Sequence, residues 1–157
     1  DQPRSRGLGD VYKRQEIDFS LLPSSLRKTH WAGRLEEIRP NIYLDGAHNL
    51  PALARLVEFI KGQKGKTCSL LFGALKRKDY SGMLAYLQEN LPEVQVTVTS
   101  FDYGESVGQA EAAGFDYVVD YRAFIENFKQ EQTVDQVLFV TGSLYFIAEV
   151  RAYFQSV

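Results

Sequence analysis

The chain is poor in the residues that staple or metallate a small fold. One cysteine and two histidines in 157 residues exclude a disulfide framework and a four-cysteine zinc site, and leave little for any other metal. Five prolines and twelve glycines exclude collagen-like or low-complexity character. No run approaches the ~18 consecutive apolar residues that would span a membrane. Neither sign of charge dominates: the formal net charge is -2, which gives no electrostatic case for nucleic acid. What remains is an ordinary globular composition, 45% hydrophobic and 13% aromatic, long enough for one domain with a buried core.

The first fifteen residues, DQPRSRGLGDVYKRQ, stand apart. They have no apolar core of a signal peptide, no capped helix and no strand pattern. With permitted codons, Ser5–Gln15 back-translates to a string that resembles a transposase sequencing adapter read as an open frame. Residues 1–15 are therefore expected to be adapter-derived rather than native, against the alternative of a basic, flexible arm. Without them the chain carries 14 basic and 18 acidic residues. On this reading the native protein extends upstream of Glu16.

From Glu16 onward the pattern alternates. Residues 16–30 are polar and mixed, and read as an interdomain linker remnant. Arg34–Ile38 and Asn41–Leu44 read as strands. Pro51 suits the first turn of a helix, and Leu53, Leu56, Val57 and Ile60 then follow at i, i+3, i+4, i+7, one apolar helical face. Gly62 and Gly65 close it. Cys68–Phe72 is a strand, Asp79–Leu91 a helix stopped by Pro92, and Val94–Thr99 a β-branched strand. Ser106–Ala113 reads as a helix, Phe115–Val119 as a strand, Tyr121–Lys129 as a helix, Val137–Thr141 as a buried strand and Leu144–Phe154 as the last helix. Short apolar runs between helical patterns predict an α/β domain with a mostly parallel sheet and helices on both faces.

In such sheets ligands gather outside the carboxyl ends of the strands, and three polar clusters fall there: Asp45-Gly46-Ala47-His48-Asn49, Gly73-Ala74-Leu75-Lys76-Arg77-Lys78-Asp79 and Thr141-Gly142-Ser143-Leu144-Tyr145. Each has a plain alternative. Asp45-Gly46 can be a turn and Asn49 a helix cap; His48 can be a surface histidine; Lys76–Lys78 can be a solvated loop; Gly142-Ser143 can be a turn and a cap. If the three strands lie side by side, the clusters face one crevice. Other motifs fail on context. Gly65-Lys66-Thr67 resembles the end of a phosphate loop, but Ile60 stands where its first glycine belongs, and it precedes a strand. Cys68 lies in a buried run and reads as core. His30 and His48 alone do not make a zinc site.

Trp31-Ala32-Gly33-Arg34-Leu35-Glu36, followed by Leu44-Asp45-Gly46-Ala47-His48-Asn49, then Lys78-Asp79 and Thr141-Gly142-Ser143-Leu144-Tyr145, resembles the C-terminal domain of the folylpolyglutamate synthase/dihydrofolate synthase family of the Mur ligase superfamily. The resemblance covers nearly all of Trp31–Phe154 in the expected order. It departs from the family pattern at Ala32 and Leu50, where that pattern has proline.

The resemblance implies a Rossmann-like domain, spanning 31–157, of an ATP-dependent ligase. Such an enzyme activates a folate carboxylate as an acyl phosphate, which the amine of L-glutamate attacks. By matching position, Arg34 and Asp45 would bind ATP, and His48 would be catalytic, near the incoming glutamate. Lys78 and Ser143 would be candidates for holding the glutamate carboxylates. ATP and Mg²⁺ are implied, with the Mg²⁺ ligands and the phosphate loop expected mainly in a separate N-terminal ATP-binding domain. The implied partners are L-glutamate, the folate or dihydropteroate substrate and that N-terminal domain. A monomeric, cytoplasmic enzyme is expected, without nucleic acid or membrane, and this chain alone is expected to be inactive. The competing expectation is a free-standing, non-catalytic α/β module that binds a nucleotide or another ligand.

Overall fold

The computed structural model describes residues 34–157. The adapter-like segment, the linker remnant and Trp31-Ala32-Gly33 lie outside the described residues. The chain forms β1 (Glu36–Arg39), β2 (Ile42–Leu44), α1 (Leu50–Lys61), β3 (Thr67–Phe72), α2 (Tyr80–Asn90), β4 (Gln95–Thr99), α3 (Gln109–Ala112), β5 (Asp116–Val118), α4 (Tyr121–Glu131), β6 (Gln136–Thr141) and α5 (Leu144–Gln155).

The six strands make one sheet in the order β1-β2-β6-β3-β4-β5. Only the β1–β2 pair is antiparallel. Its tight turn uses Asn41 in the left-handed region (φ 65), which asparagine tolerates better than most residues. β6, the last strand in sequence, sits in the middle. It pairs with β2 through Leu138, Phe139 and Val140, and with all of β3.

This order fixes where the helices go, because strand–helix–strand crossovers are right-handed. From β2 to β3 and from β3 to β4 the chain steps one way across the sheet. From β5 back to β6 it steps the other way. α1 and α2 therefore pack on one face, with Leu53, Leu56, Val57, Met83, Leu84 and Leu87 over Leu70, Phe72 and Phe139. α4 and α5 pack on the other, with Tyr121, Ile125, Ile147, Val150 and Phe154 over Ile42, Leu71, Leu138 and Val140. The alternation along β3 and β6 sends neighbouring residues to opposite cores, so both strands read as continuous apolar runs. Cys68 is a buried free thiol.

Two elements differ from their sequence pattern. The first strand begins at Glu36, not Arg34; Arg34 is an exposed bend residue. The helix expected at Ser106–Ala113 contracts to Gln109–Ala112. Ser106 is drawn into the preceding loop, donating its N–H to Tyr103 O (2.9 Å) and its hydroxyl to Phe101 O (3.2 Å). Glu111 then accepts from the Gly108 N–H (2.7 Å) to start the short helix.

Candidate active site at the β2–β6–β3 edge

The three strands that carry the polar clusters are neighbours, so their carboxyl ends open on one crevice. α1 and α2 leave that edge toward one face and α5 toward the other, which makes this the switch point of the sheet, where α/β domains bind ligands. Three helix amino ends converge there. Each is capped by a side chain: Asn49 Oδ1 accepts from Ala52 N (3.0 Å), Asp79 Oδ1 from Gly82 N (3.0 Å), and Ser143 Oγ from Tyr145 N (3.1 Å). Helix amino ends favour negative charge.

Asp45 continues β2 by one residue, donating its N–H to Val140 O on β6 (2.9 Å). Its side chain is only 8% exposed. Oδ2 accepts from Leu35 N (3.0 Å) and Oδ1 from Ala47 N (2.9 Å). The carboxylate thus holds both the segment that follows Arg34 and the turn that leads to His48. Each oxygen keeps a second acceptor site for a ligand hydroxyl. Burial pushes the Asp45 carboxyl up to about 6, against the pull of those two N–H groups and of the charges on Arg55 and Arg34.

His48 is 5% exposed, so it is not the surface histidine its sequence context also allowed. Its Nδ1 lies 2.9 Å from Gly46 O. A carbonyl can only accept, so Nδ1 carries the proton and Nε2 presents a lone pair in the neutral ring. Burial holds its pKa below the ordinary histidine value; the Gly46 carbonyl opposes this and the nearby charge of Lys78 reinforces it. His48 is therefore neutral at pH 7.

Lys78 ends the β3–α2 loop and is half-buried beside the α2 cap; its N–H donates to Leu75 O (3.1 Å). Ser143 is buried at the α5 cap. The junction beneath them is tight. Gly73 N donates to Thr141 O (3.0 Å), and the Thr141 hydroxyl to Ala47 O (3.4 Å). Gly142 sits at φ 123, where a Cβ would lie 2.3 Å from Gly73 O. Here glycine permits the close approach of two strand ends. The structure thus brings Asp45, His48, Lys78 and Ser143 to one edge, with Arg34 close enough for its charge to bear on Asp45.

Sequence reasoning passed over Arg55 on α1, whose charge also reaches Asp45, and the whole β4–α3 loop. Neither carries a motif. Among the described residues there is no group of three or more His, Cys, Asp or Glu side chains that could hold a metal ion. The converging helix ends and the nearby cations do suit phosphate or carboxylate. Gly65-Lys66-Thr67 leads into β3 at the opposite end of the sheet from the crevice, Thr67 being its first residue, and Lys66 Nζ donates to Val134 O (3.4 Å). No helix among the described residues is long and apolar enough to cross a membrane.

Fold and strand order together define a mixed α/β domain with a six-stranded, mostly parallel sheet. No family model matches the chain. By sequence it is similar to folylpolyglutamate/dihydrofolate synthases. It is 32% identical over 148 residues to the dihydrofolate synthase/folylpolyglutamate synthase of Bacillus subtilis (strain 168), covering 86% of this chain and 33% of that one. Its fold matches the bifunctional folylpolyglutamate synthase/dihydrofolate synthase of Yersinia pestis, solved with AMPPNP and a Mn ion. There the TM-score is 0.67 and the identity 23%, over 78% of this chain and 31% of that chain. A further structure of a bifunctional folylpolyglutamate synthase/dihydrofolate synthase, with Mn, AMPPNP and L-glutamate bound, matches at TM-score 0.66 and 23% identity over the same shares. The chain spans about a third of the length of these relatives.

Proposed function

We propose that this chain is the carboxyl-terminal domain of an ATP-dependent ligase that adds L-glutamate to a folate-type carboxylate. The observation that carries this reading is the meeting of the buried Asp45–His48 turn, the Lys78 loop and the Ser143 helix end on three adjacent strands. In the proposed reaction the folate carboxylate takes the terminal phosphoryl group of ATP. The glutamate amine then attacks the acyl carbon, and phosphate leaves as the amide forms.

The residues divide this work. Arg34 meets ATP phosphate, for which its planar guanidinium offers paired donors. Asp45 braces the Arg34 segment through Leu35 N and retains acceptor capacity for a nucleotide hydroxyl. Neutral His48 presents Nε2 toward the glutamate amine, which it can orient as an acceptor. Lys78 and the α5 amino end at Ser143 hold the glutamate carboxylates. Phosphate-loop and Mg²⁺ chemistry belong to an amino-terminal domain, joined through residues 16–30. The enzyme acts as a monomer in the cytoplasm, where ATP is available.

The test has two parts. Sequencing source DNA across the Arg14–Glu16 junction should replace the adapter-like codons with an in-frame phosphate-loop domain. The resulting full-length protein should form glutamyl product from ATP, L-glutamate and a pteroate or folate substrate, whereas the 157-residue chain alone should show no multiple turnover. Arg34→Ala and His48→Ala in the full-length protein should each lower kcat/KM about 100-fold or more. A start codon just before Glu16, or turnover by the 157-residue chain, refutes the reading.

A further inference from the structure

The β4–α3 loop (100–107) opens from the same edge of the sheet as the crevice, beside the β3–α2 loop, yet the proposed reaction uses none of its residues. It is braced internally by Ser106, whose hydroxyl accepts from Phe101 N (3.3 Å) and donates to Phe101 O (3.2 Å). On one side it holds the loop that carries Lys78. Lys76 N donates to Glu105 O (2.7 Å), Val107 N donates to Ala74 O (2.8 Å), and Arg77 pairs with Glu105.

On its other side the loop is gripped by α5. Asp102 N donates to both carboxylate oxygens of Glu149 (3.0 and 3.1 Å). Tyr103 stacks on Tyr145, ring centroids 4.8 Å apart. Tyr145 and Glu149 are four residues apart, so they form one strip of the helix surface. Glu149 also accepts from the Tyr121 hydroxyl (2.8 Å) and from Arg122 (3.3 Å), and Arg122 reaches Asp102 (2.9 Å). One carboxylate therefore gathers donors from the loop and from α4. Fixing loop backbone costs conformational entropy, so a loop held at both ends needs such contacts to keep one geometry.

We propose that Glu149 is a positioning residue: through the 100–107 loop it fixes the β3–α2 loop, and so sets how well Lys78 meets the carboxylates of the incoming amino acid. This rests on the reading of Lys78 given above. A loop freed at its α5 end lets Lys78 wander, which weakens binding of the dicarboxylic amino acid more than it slows the chemical step.

The experiment is Glu149→Ala and Glu149→Gln in the full-length ligase with L-glutamate as the varied substrate. Glu149→Ala should raise KM for glutamate about tenfold while kcat changes less than about twofold. Glu149→Gln should recover most of the loss, because its carbonyl still accepts from Asp102 N and Tyr121. An unchanged KM, or a fall in kcat at constant KM, overturns the proposal. If Glu149→Ala does not fold, Tyr121→Phe, which removes one donor and keeps the ring, is read in its place: a smaller rise in KM supports the proposal, an unchanged KM overturns it. A wild-type enzyme that forms no glutamyl product refutes the function but still leaves the coupling open to measurement. Hydrogen exchange in the 157-residue chain should then quicken at the Lys76 and Val107 amides in Glu149→Ala and stay near the wild-type rate in Glu149→Gln, and unaltered exchange in Glu149→Ala overturns the inference on its own.

Discussion

Asp45 and His48 are two buried titratable groups three residues apart, and burial moves them in ways that leave one charged and the other neutral at pH 7. Asp45 is raised to about 6, above the ~4 of an unfolded aspartate. Its contribution to stability is fully present below about pH 4 and is lost as pH rises through about 6, a loss on the order of 2–3 kcal/mol. His48 is lowered; its contribution is present above its ordinary value and is lost as pH falls below it. Near neutrality the protein thus keeps an ionised carboxylate in a costly place, where it accepts from Leu35 N and Ala47 N. Carbon-13 NMR titration of the 157-residue chain should place the Asp45 midpoint near 6 and that of His48 below about 6.5. An Asp45 midpoint near 4 would remove the argument that burial outweighs its two N–H donors.

At the scale of elements, the central constraint is the close approach of the β3 and β6 ends. Gly142→Ala puts a methyl group against Gly73 O at a backbone angle that alanine rarely adopts, at a cost of roughly 2–4 kcal/mol. Thermal denaturation should show Tm lower by about 10 °C or more; an unchanged Tm would mean that the two strand ends can part freely. Elements of this kind were legible in the sequence wherever one period ruled. Leu53, Leu56, Val57 and Ile60 are the buried residues of α1, and Leu70–Phe72 and Val137–Thr141 are buried strand runs. The α3 region was not legible, because Ser106 and Gly108 serve the loop and the cap rather than a helical face. The crevice itself was legible as three strand-end clusters, since a turn after an apolar run is a local signal. That β2, β6 and β3 are neighbours was only a condition, because pairing across some ninety residues leaves no local trace. Glu149 was missed for a related reason. Its donors come from residues 102, 121 and 122, and nothing in the helix around it announces them.

At the scale of the whole molecule, the two hydrophobic cores are built on opposite faces of the same strands. Leu70 and Phe72 belong to one, Leu71 to the other. Neither core can close without β6, which supplies Phe139 to the first and Leu138 and Val140 to the second. A chain ending at Gln132 lacks β6 and α5. It should show no cooperative thermal transition by circular dichroism, and a cooperative melt of that shorter chain would show that β2 and β3 can close on each other directly.

The central place of the last strand also sets a schedule for biosynthesis. While the ribosome is still making residues 45–132, β2 and β3 have no partner between them, and the edges that will flank β6 stay open to the wrong strand. Only when residues 136–143 emerge do the Asp45 turn, the Lys78 loop and the Ser143 helix end acquire a common frame. A nascent chain therefore has no assembled crevice until that stretch has emerged, and the interval before that point is when it most needs shielding from other unfinished chains.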